Sequence, residues 1–148
     1  MANTFHLKIV TVDGLAFEGD VQRLMFRSTH GDLAILARHI NYCTAVGMGT
    51  AHVVLEDGSE RTAACIGGMC SMMDNECHLL PTIWEWSEDI DVERAEAAKV
   101  RAEAKLREEK LSEEARLLTE SKLYRALVRI GSARHKKGAA GNITAPVR

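Results

Sequence analysis

Nowhere in the 148 residues does an apolar run approach the roughly 20 positions that a membrane-spanning helix requires, which excludes a helical span. Residues 1–12 alternate polar and apolar side chains and lack the basic start and apolar block of a secretory signal, so the chain is expected to stay where it is made. Catalytic signatures are missing too: there is no G-x-x-x-x-G-K-[ST] phosphate loop, no nucleophile elbow and no H-E-x-x-H helix. The four cysteines, Cys43, Cys65, Cys70 and Cys77, lack the paired C-x2-C knuckle that makes zinc a strong reading. Cys65 and Cys70 lie among apolar neighbours, where thiols behave as small hydrophobes, so buried, reduced cysteines in a reducing cytosol are expected. A metal held by the cysteines beside His78 is the alternative. A strong charge of one sign is also lacking, the net being −2, and nothing in that balance calls for nucleic acid.

What is present divides in two. Residues 1–86 carry 5 basic and 10 acidic side chains, residues 87–148 carry 14 and 11, so the second part is basic and dense in charge. The first part has period two. H-L-K-I-V-T-V and V-Q-R-L-M-F-R-S read as strands separated by Asp13-Gly14, and D-L-A-I-L-A, T-A-H-V-V-L and S-E-R-T-A-A-C-I follow, the last two joined by the E-D-G turn at 56–58. Gly67 and Gly68 interrupt the next strand, M-C-S-M-M, which turns at Asp74-Asn75 into E-C-H-L-L-P-T-I. Short antiparallel strands at this spacing predict a flattened β-sandwich or barrel over residues 1–86.

From Asp91 the period becomes helical. Asp91 reads as an N-cap, and Ala95, Ala98, Ala102 and Leu106 form one thin alanine-rich stripe. Ser112 followed by two glutamates reads as a second N-cap, with Leu117, Tyr124, Leu127 and Val128 as the apolar face of the second helix. A reverse turn at 111–114 then makes an antiparallel hairpin over residues 90–131, with Gly131 at its end and a basic, disordered tail over 132–148. An alanine stripe buries little apolar area, so such a hairpin is marginal alone, which is the makeup of a switch.

In this arrangement the chain resembles the epsilon subunit of bacterial and chloroplast F-type ATP synthases. F-H-L-K-I-V-T-V-D-G-L-A-F-E-G-D-V is similar to the family's opening, H-G-D-L-A-I-L-A-R-H-I-N-Y-C-T-A-V to its central segment, and I-G-G-M to the double glycine of a later strand. Ala37-Arg38 stands where the family has Pro-Gly, and Ile40-Asn41 replaces Ala-Pro. The resemblance implies a non-catalytic rotor subunit of a proton-translocating synthase, peripheral on the cytoplasmic face of the bacterial membrane. Its β domain would sit against the gamma subunit and the c ring, with Asp32 toward the c ring and His39 near gamma. Its hairpin, when extended, would reach the alpha and beta subunits and block hydrolysis.

In some bacterial members the folded hairpin binds ATP through a motif that Ile90, Asp91, Arg94 and Ala95 match completely. The family's further ligands map onto Glu85, displaced by one position, and onto Arg101, Arg125 and Arg129. No cofactor is required on this reading, and ATP, with or without magnesium, acts as a regulatory ligand. Seven residues return a helix to within 20° of its starting direction, so Arg94 and Arg101 share a face, as do Arg125 and Arg129 at i and i+4. The plainer reading is a solvated helix surface, with Glu93 and Glu96 compensating Arg94. The alternative of another class is a free-standing ligand- or metal-binding module centred on the cysteines.

Overall fold

The computed structural model describes residues 3–139, with side chains as far as residue 135. Alternation in the first strand, β1 (Phe5–Thr11), buries Phe5, Leu7 and Ile9 and turns His6, Lys8 and Val10 outward. A two-residue loop leads into β2 (Gly14–Ser28), followed by β3 (Gly31–Leu36), β4 (Tyr42–Ala45), β5 (Met48–Leu55), β6 (Glu60–Met73) and β7 (Glu76–Trp86). The strand order is β1-β7-β6-β5-β2-β3, and β1 also pairs with β2, which closes the sheet into a flattened barrel. Inward-facing Val21, Leu24, Phe26, Ile35, Val53, Met72 and Leu79 fill it together with the three β1 residues. The expected architecture is therefore present, with two differences. β1 and β7 run parallel, and β2, β6 and β7 are long, at 15, 14 and 11 residues.

The length of β6 has a local cause. Its first half pairs with β5 and its second with β4, and the strand changes partner at Gly67-Gly68, where φ is 69° and 102°. A Cβ on Gly68 would lie 2.0 Å from the Leu80 carbonyl oxygen, so only glycine lets β7 approach here. The double glycine is a bend within one strand. The Asp74-Asn75 turn is as expected, both residues having positive φ, as a two-residue hairpin of the twist-matching kind requires.

A single 3-10 turn (Ser87–Asp89) leads to α1 (Val92–Leu106), capped by Asp91, whose Oδ1 accepts from the Arg94 N–H at 3.1 Å. Ser112 caps α2 (Glu113–Ala139) through its Oγ and the Ala115 N–H at 3.2 Å. The link between the helices is residues 107–112, ahead of the turn expected at 111–114. Gly131 does not end α2, which continues to Ala139; the expected tail is helical to that point, and residues 140–148 lie outside the described residues.

The apolar face assigned to α2 needs correcting. Leu117, Tyr124 and Leu127 are 62%, 58% and 40% exposed, whereas Thr119, Ala126, Ile130 and Ala133 are buried. Spaced at 119, 126, 130 and 133, the buried set is the seam that meets the alanine stripe of α1, where Ala95 and Ala102 are buried. Small residues win because they let two backbones approach, while the large ones overhang toward the rim of the barrel. There Tyr124, Leu127, Val128 and Gly131 line an open cavity with Arg27 and Met48.

The hairpin lies folded against the barrel. Ala64 of β6, Ile90 and Ala133 form a small buried cluster with Val128 against it. Around it, Thr50 Oγ1 and Ser132 Oγ are 2.7 Å apart, and the rings of His52 and His135 meet edge to face at 5.3 Å. The contact around this cluster is thus built of short side chains, hydroxyls and a pair of histidine rings.

Candidate functional site

The hairpin's own geometry decides where its arginines go. Ile90 packs with Ala133, and the helices run in opposite directions from that point. Arg94 and Arg101 each immediately precede a buried seam alanine of α1, Ala95 and Ala102. Arg125 and Arg129 likewise immediately precede Ala126 and Ile130 on the seam of α2. One residue is 100° of rotation, and in antiparallel helices a step back from the seam swings to the same flank on both. All four arginines therefore lie on one side of the hairpin. At 1.5 Å per residue, Arg101 lies about 10 Å along α1 from Arg94, and Arg125 about 6 Å along α2 from Arg129.

On α1 that flank carries no acidic side chain beside Arg94 and Arg101, whereas Glu85 reaches it from the barrel and Glu114 lies at its far end on α2. Glu96 and Glu103 lie on the opposite flank, where Glu103 is 4.0 Å from Lys99, and Glu93 points away from the seam. The compensation of Arg94 by Glu93 or Glu96 is absent: neither forms an ion pair with it among the described residues. Arg94 and Arg101 are exposed, while Arg125 is half-buried, and its Nε is enclosed without an acceptor. Arg129 is the exception, its Nε donating to Glu85 Oε2 at 2.8 Å. Glu85 sits near the end of β7, opposite Ala64, so this pair also ties α2 to the barrel. The structure thus brings together Glu85, Asp91, Arg94, Arg101, Arg125 and Arg129 at one side of the hairpin, with Ile90 and Ala95 buried beneath.

The barrel-borne candidates are separate from this. Asp32 lies in β3 itself, just past the turn, with Oδ1 3.6 Å from Arg27 Nε, both side chains exposed. His39 follows the other end of β3, its Nδ1–H donating to the Ile40 carbonyl at 2.8 Å. Arg38, where the resembling family has glycine, keeps a left-handed φ of 63°, and its N–H donates to Asn75 Oδ1 at 2.8 Å. That hydrogen bond from the neighbouring hairpin holds a conformation glycine adopts without strain.

Three of the cysteines, Cys65, Cys70 and Cys77, are buried as expected; Cys43 is exposed, on the outward face of β4. Burial pushes the Cys65 thiol up to about 12, and Cys70 is raised by its contact with Cys77 at 3.6 Å and by burial. Among the described residues no three His, Cys, Asp or Glu side chains converge as a metal-holding group. Outward-facing Cys43, Ser71 and His78 pair across β4, β6 and β7, as do Ala45, Met69 and Leu80, with Met69 and Leu80 46% and 50% exposed. This apolar face was legible in the alternation of the strands yet unassigned from it. Ser132, His52 and His135, which the sequence did not single out, become visible only once α2 is docked.

With this geometry in place, two family models match the chain: the β-sandwich domain of the ATP synthase delta/epsilon chain over residues 4–87, and its long α-helix domain over residues 88–133. The ATP synthase epsilon chain of Caldanaerobacter subterraneus is 36% identical over 130 residues, 88% of this chain and 94% of that protein. That of Shouchella clausii is 33% identical over 133 residues, 90% and 97% respectively. A relative from Acetobacterium woodii, named as a sodium-ion-specific epsilon chain, is 36% identical over 110 residues, 74% and 83%. The fold is also that of a chain in the Euglena gracilis mitochondrial ATP synthase, with a TM-score of 0.74 at 21% identity, covering 84% of this chain and 79% of that one. On the two family models and these relatives, the chain belongs to the epsilon subunits of F-type ATP synthases, which are non-catalytic.

Proposed function

We propose that this epsilon subunit is a central-stalk element on the cytoplasmic face of the membrane, whose helical hairpin is an inhibitory arm held down by ATP. The observation that carries the nucleotide reading is Arg94, Arg101 and Arg125, none with an acidic partner among the described residues, on one flank beside the Glu85–Arg129 pair. Guanidinium groups keep their charge at any physiological pH, so a bound anion would relieve their mutual repulsion in the folded hairpin. A phosphate chain supplies one, and Asp91 and Glu85 offer acceptors to a base amine or ribose hydroxyl at the other end. ATP would then shift the hairpin toward the folded state by its differential affinity for it.

The rotor reading draws on the other surfaces. The exposed Met69, Leu80 and Cys43 face suits burial against a protein partner, which we assign to gamma with His39 nearby. Asp32, exposed beyond a turn, suits the polar loops of the c ring. With the hairpin extended, its arm would reach the alpha and beta subunits.

Calorimetry of the full chain with ATP tests the nucleotide reading: saturable heat and a raised melting temperature are expected, and neither at millimolar ATP would sink it. Co-purification with gamma, and loss of inhibition of hydrolysis on truncation after Asp89, test the rest.

A further inference from the structure

Two histidines face each other across the joint between hairpin and barrel. His52 is half-buried on the outward face of β5, and His135 lies on α2, about one turn beyond Ser132. Because Thr50 meets Ser132 and His52 meets His135, α2 lies along β5, and the two rings touch edge to face at 5.3 Å. Between neutral rings that arrangement is attractive. His52 is also fixed from the barrel side, its Nδ1–H donating to Glu60 Oε1 on β6.

The charges around this pair are unevenly shared. On β2, Met25 lies opposite His52, with Arg23 and Arg27 to either side on the same face; Arg27 pairs with Asp32, while Arg23 Nε is enclosed without an acceptor. On α2, exposed Arg134 adjoins His135. The 3-10 turn brings Glu88, bonded to Arg61, and Asp89. Glu60 belongs to the barrel, so its carboxylate stays with His52 when α2 moves, and among the described residues no carboxylate is paired with His135.

An imidazole ordinarily takes up a proton near pH 6.5, whereas carboxylates and guanidiniums keep their charges between about pH 5 and 8. Acidification through that range turns a contact of two neutral rings into one of two imidazolium cations beside the Arg23 guanidinium, with Glu60 to offset one of them. Release of α2 separates the charges. It removes a repulsion that exists only when both rings are charged, so acid favours release.

We infer that His52 and His135 form an acid-sensitive latch, which holds the hairpin to the barrel near neutral pH and lets it go as the pH falls toward about 5.5. The latch does not depend on nucleotide binding.

Amide hydrogen exchange of the full chain without nucleotide, at about pH 7.5 and about pH 5.5 and corrected for intrinsic exchange, tests it in the parent, His135→Phe and His52→Gln. Circular dichroism checks that the helices are intact. The expected result is that protection around Ser132 falls about fivefold in the parent on acidification relative to β1, and less than about twofold in either variant. His135→Phe is the decisive comparison, because it keeps a ring for the edge-to-face contact, removes the charge and leaves the Ala64, Ile90 and Ala133 cluster untouched. An equal fall in the parent and His135→Phe, no fall in the parent, or protection already lost in His135→Phe near neutral pH would overturn the latch.

Discussion

Replacing Ala133 by leucine should release the hairpin from the barrel without unfolding either. Ala133 is 7% exposed and meets Ala64, which is fully buried, and Ile90, with Val128 at the edge. Burial of one isoleucine, two alanines and part of a valine contributes on the order of 4 kcal/mol before the cost of ordering the hairpin. Little is left after that cost. Three added carbons in a space bounded by a strand backbone and an alanine cost about 1–3 kcal/mol by overpacking. The docked population should then fall between about fivefold and a hundredfold. Amide hydrogen exchange reads this directly: protection in α2 around Ser132 should drop, while the core strands β1 and β6 keep theirs, since the main core shares no residue with this cluster. Trypsin should cut sooner at Arg94 and Arg101. Unchanged exchange and cleavage in Ala133→Leu would refute the argument that this small cluster holds the arm down, and would shift the burden to the Glu85–Arg129 pair.

Three further outcomes are expected. Arg38→Gly should raise stability by about 0.5–1 kcal/mol in urea unfolding, because a left-handed residue with a Cβ costs about 1–2 kcal/mol and the added freedom of glycine in the unfolded chain takes back part of that. A thiol reagent at neutral pH should label Cys43 quickly in the native protein, with Cys65, Cys70 and Cys77 labelled only on unfolding, as mass spectrometry would record. His6, bonded to Glu18 at 3.0 Å and Asp20 at 3.1 Å, has its pKa raised above 6.5, first by Glu18 and then by Asp20. A raised pKa stabilises the fold below the unfolded value and loses that contribution as pH rises through the folded one. The stability difference between the parent and His6→Ala should accordingly be largest below about pH 6 and fade upward, and an NMR titration should place His6 above an ordinary histidine.

The first half of the chain was readable because a closed sheet with one buried face imposes strict alternation. H-L-K-I-V-T-V needs no partner to announce which side is in. Caps were equally legible: Asp91 and Ser112 act within three residues of themselves. The end of α2 was not legible at Gly131, because a glycine within a helix costs only about 1 kcal/mol, and the docked seam that continues through Ser132 and Ala133 outweighs it. Reading Leu117, Tyr124 and Leu127 as the buried face failed for a related reason. Hydrophobicity ranks side chains by transfer energy, but a helix that must fit closely between another helix and a sheet selects for small size.

What the sequence alone determined was the two-part plan, the strands, the caps and the identity and helical spacing of the four arginines, all of them consequences of local period and short-range geometry. Only the tertiary structure decided that these arginines share one flank, that Glu93 and Glu96 point away from it, and that Glu85 reaches Arg129 from a strand 44 residues away. The physical reason is that a helix face has no meaning until a seam is chosen. Once Ala95, Ala102, Ala126 and Ile130 meet, every other position on both helices is placed by rotation.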